Sequence, residues 1–292
     1  MLIVGTQLAI ATDNFQSEIQ RQEEKEVLRW LSNVDYGLQH SNNRDEVATN
    51  TCTWFLNSPE YTTWRDGDGK VLICQGIPGA GKTFLSSIVI EDLLNSSLSK
   101  ADGWGLTQIY CHYHHRLELT ATELFRCLAK QLCLSMSSLP ASVSKLHKDH
   151  AERGTTPPLD KIIDMLRDLL QSFTQVYIVV DALDELMDDY QHRFQFVEEL
   201  SKLANSLPQV KALLTSRPLH ADTYRLFDSA IDVEISARQH DIEAYVDGRF
   251  PKMHPMSPLQ TNHLLQLAVR STISQGARGM YVITGSHFLE AC

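Results

Sequence analysis

Gly76-Ile77-Pro78-Gly79-Ala80-Gly81-Lys82-Thr83 is the stretch that decides the fold, because it has the spacing G-x-x-x-x-G-K-[ST] of a phosphate-binding P-loop. The apolar run from Val71 to Cys74 precedes it, and the helix-like segment from Phe84 to Ile90 follows it. A P-loop needs this context, since a strand must deliver the loop and a helix must leave it with its N-terminus facing the phosphates. The sequence therefore predicts a nucleoside triphosphate site at this loop.

Each residue type in the loop suits the binding of phosphate. Glycines at 76, 79 and 81 permit backbone angles and close approaches that a Cβ would prevent, so amide N–H groups can surround the β-phosphate. Lys82 supplies a compact cation for the β- and γ-phosphate oxygens, and the Thr83 hydroxyl is placed to bind a Mg²⁺ ion. We expect the whole loop, with Ile77, Pro78 and Ala80 included, to contact the nucleotide.

A second apolar run, Val176 to Val180, ends in the carboxylate of Asp181. A strand buried on both faces of a parallel sheet presents an acid at its carboxyl edge in this way, as a Walker B strand does. Asp181 is predicted to hold the Mg²⁺ through water. The next residue is Ala182 and not a glutamate, so the catalytic base for hydrolysis must be Asp184 or Glu185, and slow turnover is expected.

A third strand-like run, Val210 to Leu214, leads into Thr215-Ser216-Arg217-Pro218. Arg217 is then expected at the carboxyl edge of the sheet, where ligands of open α/β sheets bind, and there it would sense the γ-phosphate. Taken alone, Arg217 is more readily interpreted as an ordinary surface arginine. The central expectation is that Lys82 and Asp181 meet across neighbouring strand ends, with room for a magnesium-bridged triphosphate.

Together these three motifs resemble the signatures of NACHT NTPase domains, which belong to the signal-transducing STAND class of P-loop proteins. Further upstream, Leu28 to Ser32, Trp54-Phe55-Leu56 and Trp64 resemble the nephrocystin 3-like N-terminal domain of fungal NACHT receptors, as does Ile235 to Arg238 after the last strand. The resemblance covers roughly residues 24–290.

This resemblance implies a nucleotide-controlled signalling switch of the fungal innate-immunity or heterokaryon-incompatibility type, with Mg²⁺ and ATP or GTP as ligands. The open triphosphate form would self-associate. Lys82 and Thr83 would be phosphate and metal ligands, Asp181 the metal carboxylate, and Arg217 the first sensor. Relatives carry separate effector domains and repeats, but no repeat period is visible here, so we expect those domains to be absent from this chain.

Composition favours an intracellular protein with a large core. The chain has 292 residues, of which 43% are hydrophobic, and 26 basic against 36 acidic residues give a net charge of −10. That charge argues against nucleic acid as a partner. Six irregularly spaced cysteines predict reduced thiols, with Cys74 and Cys111 buried in strands.

The apolar start, Met1 to Ala11, is too short to span a bilayer and has no basic leader. It reads either as a frayed tail or as the remnant of a longer segment. We therefore expect no stable membrane insertion and a cytoplasmic location.

Periodicity gives the expected organisation of the chain. The fold class is α/β, namely a P-loop NTPase three-layer fold with a mainly parallel sheet, and it spans residues 70–235. Residues 1–69 form a helical or linker segment with an amphipathic helix over 15–40, and residues 236–292 begin a small helical domain. Predicted elements within these segments are a strand over 107–113 and helices over 121–134, 159–173, 241–250, 262–273 and 278–289.

Alternative functions remain at this stage. The chain can be a nucleotide-binding interaction or oligomerisation module with little or no hydrolysis, or, least favoured, a small-molecule kinase. Cys111-His112-Tyr113-His114-His115 suggests a metal site, but alternate side chains of a strand point to opposite faces, which favours ordinary histidines at a strand end.

Overall fold

The computed structural model of the chain describes residues 2–47, 51–111, 120–186, 190–219, 225–227, 229–253 and 257–276. Two sequence expectations fall outside these ranges, namely the run His112 to His115 and the helix over 278–289. In the described part of the chain, no helix is both long and apolar enough to cross a membrane.

Five strands form one sheet within the described residues. They are Val71–Gln75 (β1), Trp104–Tyr110 (β2), Gln175–Asp181 (β3), Val210–Ser216 (β4) and Ile231–Glu234 (β5). Every pairing is parallel, and the order across the sheet is β2-β3-β4-β1-β5. The inner strands are almost wholly buried, which is why they read as continuous apolar runs.

The strand order corrects one expectation. The P-loop strand β1 and the Walker B strand β3 are not neighbours, because β4 lies between them and pairs with both. Local sequence specifies each strand but not its neighbours, since pairing depends on contacts remote along the chain. The carboxyl end of β4 is consequently placed between the P-loop and Asp181.

The helices precede, connect and follow the strands. Helices α1 to α9 span Leu2–Leu31, Tyr36–Glu46, Thr53–Leu56, Pro59–Asp66, Lys82–Asn95, Ala121–Leu134, Ala141–Ala151, Leu159–Leu170 and Tyr190–Ser206. Helices α10 to α12 span Gln239–Arg249, Pro258–Thr261 and His263–Gly276. Helix α6 contacts α1, α8 and α9, and α7 contacts α1 and α8. Helix α5 packs on β3, on β4 and on α2. The three-layer α/β fold predicted from the sequence is confirmed.

The helix predicted over 15–40 is in fact two helices. The first ends at Leu31, where the Ser32 hydroxyl accepts a hydrogen bond from the Val34 N–H at 3.1 Å. Asp35 then caps the second helix by accepting from the Gly37 N–H at 2.9 Å. Serine and aspartate compete with helical hydrogen bonding in this way, so a break occurs inside a run whose apolar spacing is helical.

Strand β2 also differs from its prediction, because it begins at Trp104 and ends at Tyr110. Gly105 lies within it and weakens the strand signal, since glycine is depleted in strands. The structure gives the reason for this glycine: a Cβ there would lie 3.0 Å from the ring of Phe173. Cys74 and Cys111 are buried thiols, as predicted, but Cys111 follows the end of β2 and does not lie in a strand.

The segment before β1 is fixed to the sheet by a buried lysine. Lys211 of β4 is 4% exposed, and its ammonium donates to the carbonyls of Trp64, Arg65 and Gly67 at 2.7, 3.1 and 2.6 Å. These carbonyls lie at the end of α4, where a helix has unpaired acceptors and a partial negative charge. Burial lowers the pKa of Lys211, with Lys70 acting in the same direction.

Two further polar contacts join distant parts of the chain. The buried carboxylate of Asp241 in α10 accepts the backbone N–H of Cys52 at 3.1 Å and the indole N–H of Trp54 at 3.0 Å. The buried His40 of α2 bridges the Tyr110 hydroxyl at 2.8 Å and the Glu91 carboxylate at 3.0 Å. Segments before β1 are thereby held against both the C-terminal helices and the helix that follows the P-loop.

Candidate nucleotide site

The loop between β1 and α5 has the backbone geometry that its glycines predict. Gly79 and Gly81 have φ values of 76° and 91°, in the left-handed region that side chains disfavour. Gly76 serves a different purpose, because a Cβ on it would lie 2.5 Å from the carbonyl oxygen of Ile235. The segment that follows β5 therefore packs directly against the start of the P-loop.

Lys82 lies at the first position of α5, with its side chain folded over its own loop. Its ammonium donates to the carbonyls of Gly76 at 2.8 Å and Ile77 at 3.0 Å. Burial lowers the pKa of Lys82, while the carboxylates of Asp184 and Asp181 oppose that shift. The Lys82 side chain is therefore a partly desolvated cation close to acidic groups. A cation in such surroundings can form strong charge-assisted hydrogen bonds with phosphate.

Asp181 and the P-loop come together as the sequence predicts, although their strands are not adjacent. The Thr83 hydroxyl donates to Asp181 Oδ2 at 2.7 Å. Asp181 is 2% exposed, and within the described residues its Oδ1 accepts from the hydroxyls of Ser86 at 2.8 Å and Thr215 at 2.7 Å. The sequence reading assigned no role to Ser86 or Thr215, although Ser86 is one helical turn beyond Thr83.

Asp181 has an unusual electrostatic position. Burial raises the pKa of Asp181 above its ordinary value, and the hydroxyls of Thr215, Thr83 and Ser86, with Lys82, oppose that shift. A carboxylate with a raised pKa at the edge of a P-loop is an anion that lacks sufficient positive charge around it. A divalent cation bound beside it would supply that charge.

The turn after Asp181 brings the acidic pair to the loop. Ala182 has a φ of 54°, which is rare for a residue with a Cβ, and its N–H donates to the Thr215 hydroxyl at 2.9 Å. A short 3-10 turn, Leu183–Glu185, follows. This reversal of the chain after β3 directs Asp184 and Glu185 towards the P-loop.

Asp184 is already engaged by the predicted sensor. The backbone N–H of Arg217 donates to Asp184 Oδ1 at 2.9 Å, and the Arg217 Nε lies 3.0 Å from Asp184 Oδ2. The guanidinium is 52% exposed, so this ion pair is screened by water and is weak. Arg217 is therefore located beside the loop, as expected, but it is paired with one of the two candidate bases.

These residues line one cavity of about 360 Å³. Its walls are Pro78, Gly79, Gly81, Lys82, Thr83 and Phe84 on the loop side, and Ala182, Asp184, Glu185 and Arg217 opposite. A larger groove of about 800 Å³ lies between α1 and α7, and its lining includes Gln20, His147 and Lys148 but none of the predicted site residues. The chemistry predicted from the sequence thus converges on the smaller cavity.

The side chains present fit a magnesium-bound nucleotide. Oxygen ligands suit Mg²⁺, and Thr83 can donate its proton to Asp181 while keeping lone pairs for the metal. Two left-handed glycines followed by the N-terminus of α5 are the backbone features with which a P-loop binds phosphate. A bound metal ion would supply charge neutralisation between phosphate oxygens; the residues that would hold it are Thr83 and Asp181.

The fold and this arrangement define a P-loop NTPase domain. Comparison with known proteins gives the narrower identification. The family described as "Nephrocystin 3, N-terminal" matches residues 50–217, more than half of the chain, and the chain belongs to that family. The resemblance to NACHT-like NTPase domains stated from the motifs is thereby confirmed.

Similar proteins extend the comparison. The vegetative incompatibility protein HET-E-1 of Podospora anserina is 24% identical over 264 residues, which is 84% of this chain but only 18% of that protein's length. Among solved structures, a Walker-type ATPase of Pyrococcus abyssi has a TM-score of 0.44 and 13% identity, covering 88% of this chain and 71% of its own. The ORC1 protein of Aeropyrum pernix, solved with DNA, has a TM-score of 0.46 and 14% identity, with coverages of 90% and 68%.

Replacing Asp181 by asparagine should stabilise the protein in nucleotide-free buffer containing a chelator. Because the folded-state pKa of Asp181 is raised above the unfolded value near 3.8, its contribution to stability is present below that value and is lost as pH rises through the folded-state pKa. We expect Asp181→Asn to gain about 1 kcal/mol at pH 8, or about 2 °C in melting temperature, and less at pH 4, close to the ordinary value of 3.8.

Thermal unfolding at both pH values checks this expectation. Asp149→Asn, which changes an exposed aspartate on α7, is the matched control and should leave the melting temperature nearly unchanged. A gain that is larger at pH 4 than at pH 8 would reverse the predicted sign and contradict the assignment of Asp181 as a poorly compensated buried anion.

Proposed function

We propose that the chain is a nucleoside-triphosphate-binding switch with slow Mg²⁺-dependent hydrolysis. The observation that carries the proposal is the 2.7 Å contact between the Asp181 carboxylate and the hydroxyl of Thr83, which lines the cavity. Thr83 and Asp181 both lie within residues 50–217, the range that matches the Nephrocystin 3, N-terminal family. ATP and GTP present the same phosphates to these residues, so the proposal covers both nucleotides.

Individual roles follow from the contacts. The loop from Gly76 to Thr83 would hold the phosphates, with Lys82 as the cation, and Thr83 and Asp181 would hold Mg²⁺. We assign Arg217 as the group that senses the γ-phosphate. To reach the γ-phosphate, the Arg217 guanidinium has to leave Asp184. The conformation of the turn that carries Asp184 would therefore depend on whether a diphosphate or a triphosphate is bound.

Glu185 is the better of the two candidate bases. A general base needs an accessible lone pair within hydrogen-bonding reach of the attacking water. Asp184 and Glu185 both line the cavity. Both oxygens of Asp184 are engaged by Arg217, through its backbone N–H and its Nε, so Asp184 has to leave that pair before it can accept a proton. With Ala182 directly after Asp181, this base lies further along the turn, which supports slow turnover.

The biological role rests on similarity alone. HET-E-1 is a vegetative incompatibility protein, and we propose that this chain acts in a signalling receptor of the same kind in the cytoplasm of a fungus, self-associating when triphosphate is bound. Residues 70–235 would be the switch domain, residues 1–69 and 236–292 its helical flanks, and effector or repeat domains would lie outside this chain. No role for nucleic acid is proposed.

A second candidate is a nucleotide-binding interaction module with little or no hydrolysis. The favouring observation is again Ala182, together with the engagement of Asp184 by Arg217. This alternative predicts the same binding residues and differs only in turnover.

Mass spectrometry of the nucleotide that co-purifies with the chain tests the proposal. A switch with slow hydrolysis should retain nucleoside diphosphate or a mixture of di- and triphosphate, and single-turnover incubation with Mg²⁺ should convert the triphosphate over minutes to hours. Retained triphosphate that persists through a day with Mg²⁺ would favour the second candidate. Absence of any nucleotide, with no binding of added ATP or GTP, would contradict both.

A further inference from the structure

The carboxylate of Asp181 has two oxygens with different surroundings. Oδ1 accepts from both Ser86 and Thr215, whereas Oδ2 accepts from Thr83 at the edge of the cavity. All three hydroxyl bonds are 2.7 to 2.8 Å long. The side chains behind Oδ1 are fully buried, with Ser86 and Thr215 each at 0% exposure. One oxygen is thus fixed from behind, and the other faces the metal-binding hydroxyl.

Thr215 also controls the turn that follows. Its hydroxyl donates to Asp181 Oδ1 and at the same time accepts the N–H of Ala182, the residue with the left-handed backbone. A hydroxyl has one proton and two lone pairs, so a single threonine can fill both roles. Valine has the same shape and can fill neither.

Thr215 lies on β4, the strand inserted between β1 and β3. Two residues further on, Arg217 contacts Asp184 on the same turn. The end of β4 therefore contacts the segment after β3 at two points, once at the metal carboxylate and once at the acidic pair. The end of β4 therefore supports the acidic residues of the site, namely Asp181 and Asp184.

We propose that Ser86 and Thr215 are positioning residues that hold Asp181 Oδ1 so that Oδ2 is aimed at the metal beside Thr83, and that Thr215 additionally sets the path of the turn carrying Asp184 and Glu185. The inference rests on the proposed Mg²⁺-nucleotide binding and extends it to two side chains that never touch the nucleotide. Residues that orient a metal ligand change metal affinity by about 10- to 100-fold when removed.

The test measures the Mg²⁺ requirement for binding of mant-ATP and mant-GTP by fluorescence, on the full chain. Thr215→Val should raise the Mg²⁺ midpoint by about 10- to 100-fold, and Ser86→Ala by about 3- to 10-fold because it removes one of two donors. Affinity for mant-ADP and mant-GDP in EDTA should stay within about twofold of wild type, since phosphate binding by the loop does not use Asp181. A merely structural role would weaken both measurements together.

Two variants separate orientation from folding. Thr215→Ser keeps the hydroxyl and should restore the wild-type Mg²⁺ midpoint to within about threefold. Thr107→Val removes a fully buried strand threonine whose hydroxyl has no hydrogen-bond partner among the described residues, and should leave the midpoint unchanged. Ser86→Ala leaves no backbone N–H unpaired, so it reports on Asp181 even if Thr215→Val folds poorly.

Failure of the positioning roles can be distinguished from failure of the proposed nucleotide-binding function. The positioning roles alone would be overturned if the wild-type chain requires Mg²⁺ to bind nucleotide and both Ser86→Ala and Thr215→Val have the wild-type Mg²⁺ midpoint. Wild-type chain that binds neither nucleotide would overturn the proposed function and this inference with it.

Discussion

Lys82→Ala should lower the affinity for Mg²⁺-nucleotide by at least about 100-fold, or about 3 kcal/mol, while the fold is retained. Removal of one charged partner from a desolvated contact has a cost of this size. The Lys82 ammonium contacts the carbonyls of Gly76 and Ile77 in its own loop, so its loss takes no apolar contact from the core. Titration calorimetry with ATP and GTP in Mg²⁺ gives the affinity, and circular dichroism gives the fold.

The matched control is Lys202→Ala. Lys202 is an exposed lysine on α9 that pairs with Glu198 and Glu199, and its removal should leave nucleotide affinity within about twofold of wild type. Unaltered nucleotide binding by a folded Lys82→Ala protein would mean that the loop is a glycine-rich turn without a phosphate-binding role.

Glu185→Gln should lower the rate of phosphate release by about 100-fold or more, within the range that general bases contribute. The substitution keeps the size of the side chain and removes its capacity to take a proton, so nucleotide affinity should change little. Asp184→Asn should lower the rate by less than about fivefold, because the partly exposed pair with Arg217 is worth up to about 1 kcal/mol. Single-turnover phosphate release measures both rates.

Comparison of the two variants decides between the candidate bases. A large loss in Asp184→Asn with a small one in Glu185→Gln would reverse the assignment. Equal rates in both variants and wild type would show that neither carboxylate acts as a base, and would favour the binding module without hydrolysis.

Much of the fold was predictable because its signals are local. The buried strands β1, β3 and β4 are continuous apolar runs, and α6 has the predicted bounds because the Thr120 side chain caps its start by accepting the N–H of Glu123. Elements with conflicting local signals were misplaced, as Gly105 in β2 and the break between α1 and α2 show. Strand order was also beyond reach, because the insertion of β4 depends on pairing between segments that are remote along the chain.

In the candidate site, too, residues with a local sequence signal were predictable and residues without one were not. Residues with a motif of their own, such as Lys82, Thr83 and Asp181, were predicted from sequence. Lys82 and Thr83 line one cavity, and Asp181 accepts a hydrogen bond from Thr83. Ser86 was missed because a serine in a helix carries no signal until its partner is known. Thr215 was recognised only as part of Thr215-Ser216-Arg217-Pro218, since its role exists only once β4 is placed beside β3.

The most direct test of the central claim is a crystal structure of the chain with Mn²⁺, used in place of Mg²⁺, and a non-hydrolysable ATP or GTP analogue. The structure described here predicts one anomalous peak about 2.1 Å from the Thr83 hydroxyl, with Asp181 Oδ2 bound to that metal directly or through one water and with the phosphates along the Gly76 to Thr83 loop. A metal peak remote from both side chains, or phosphates bound outside this loop, would contradict the account.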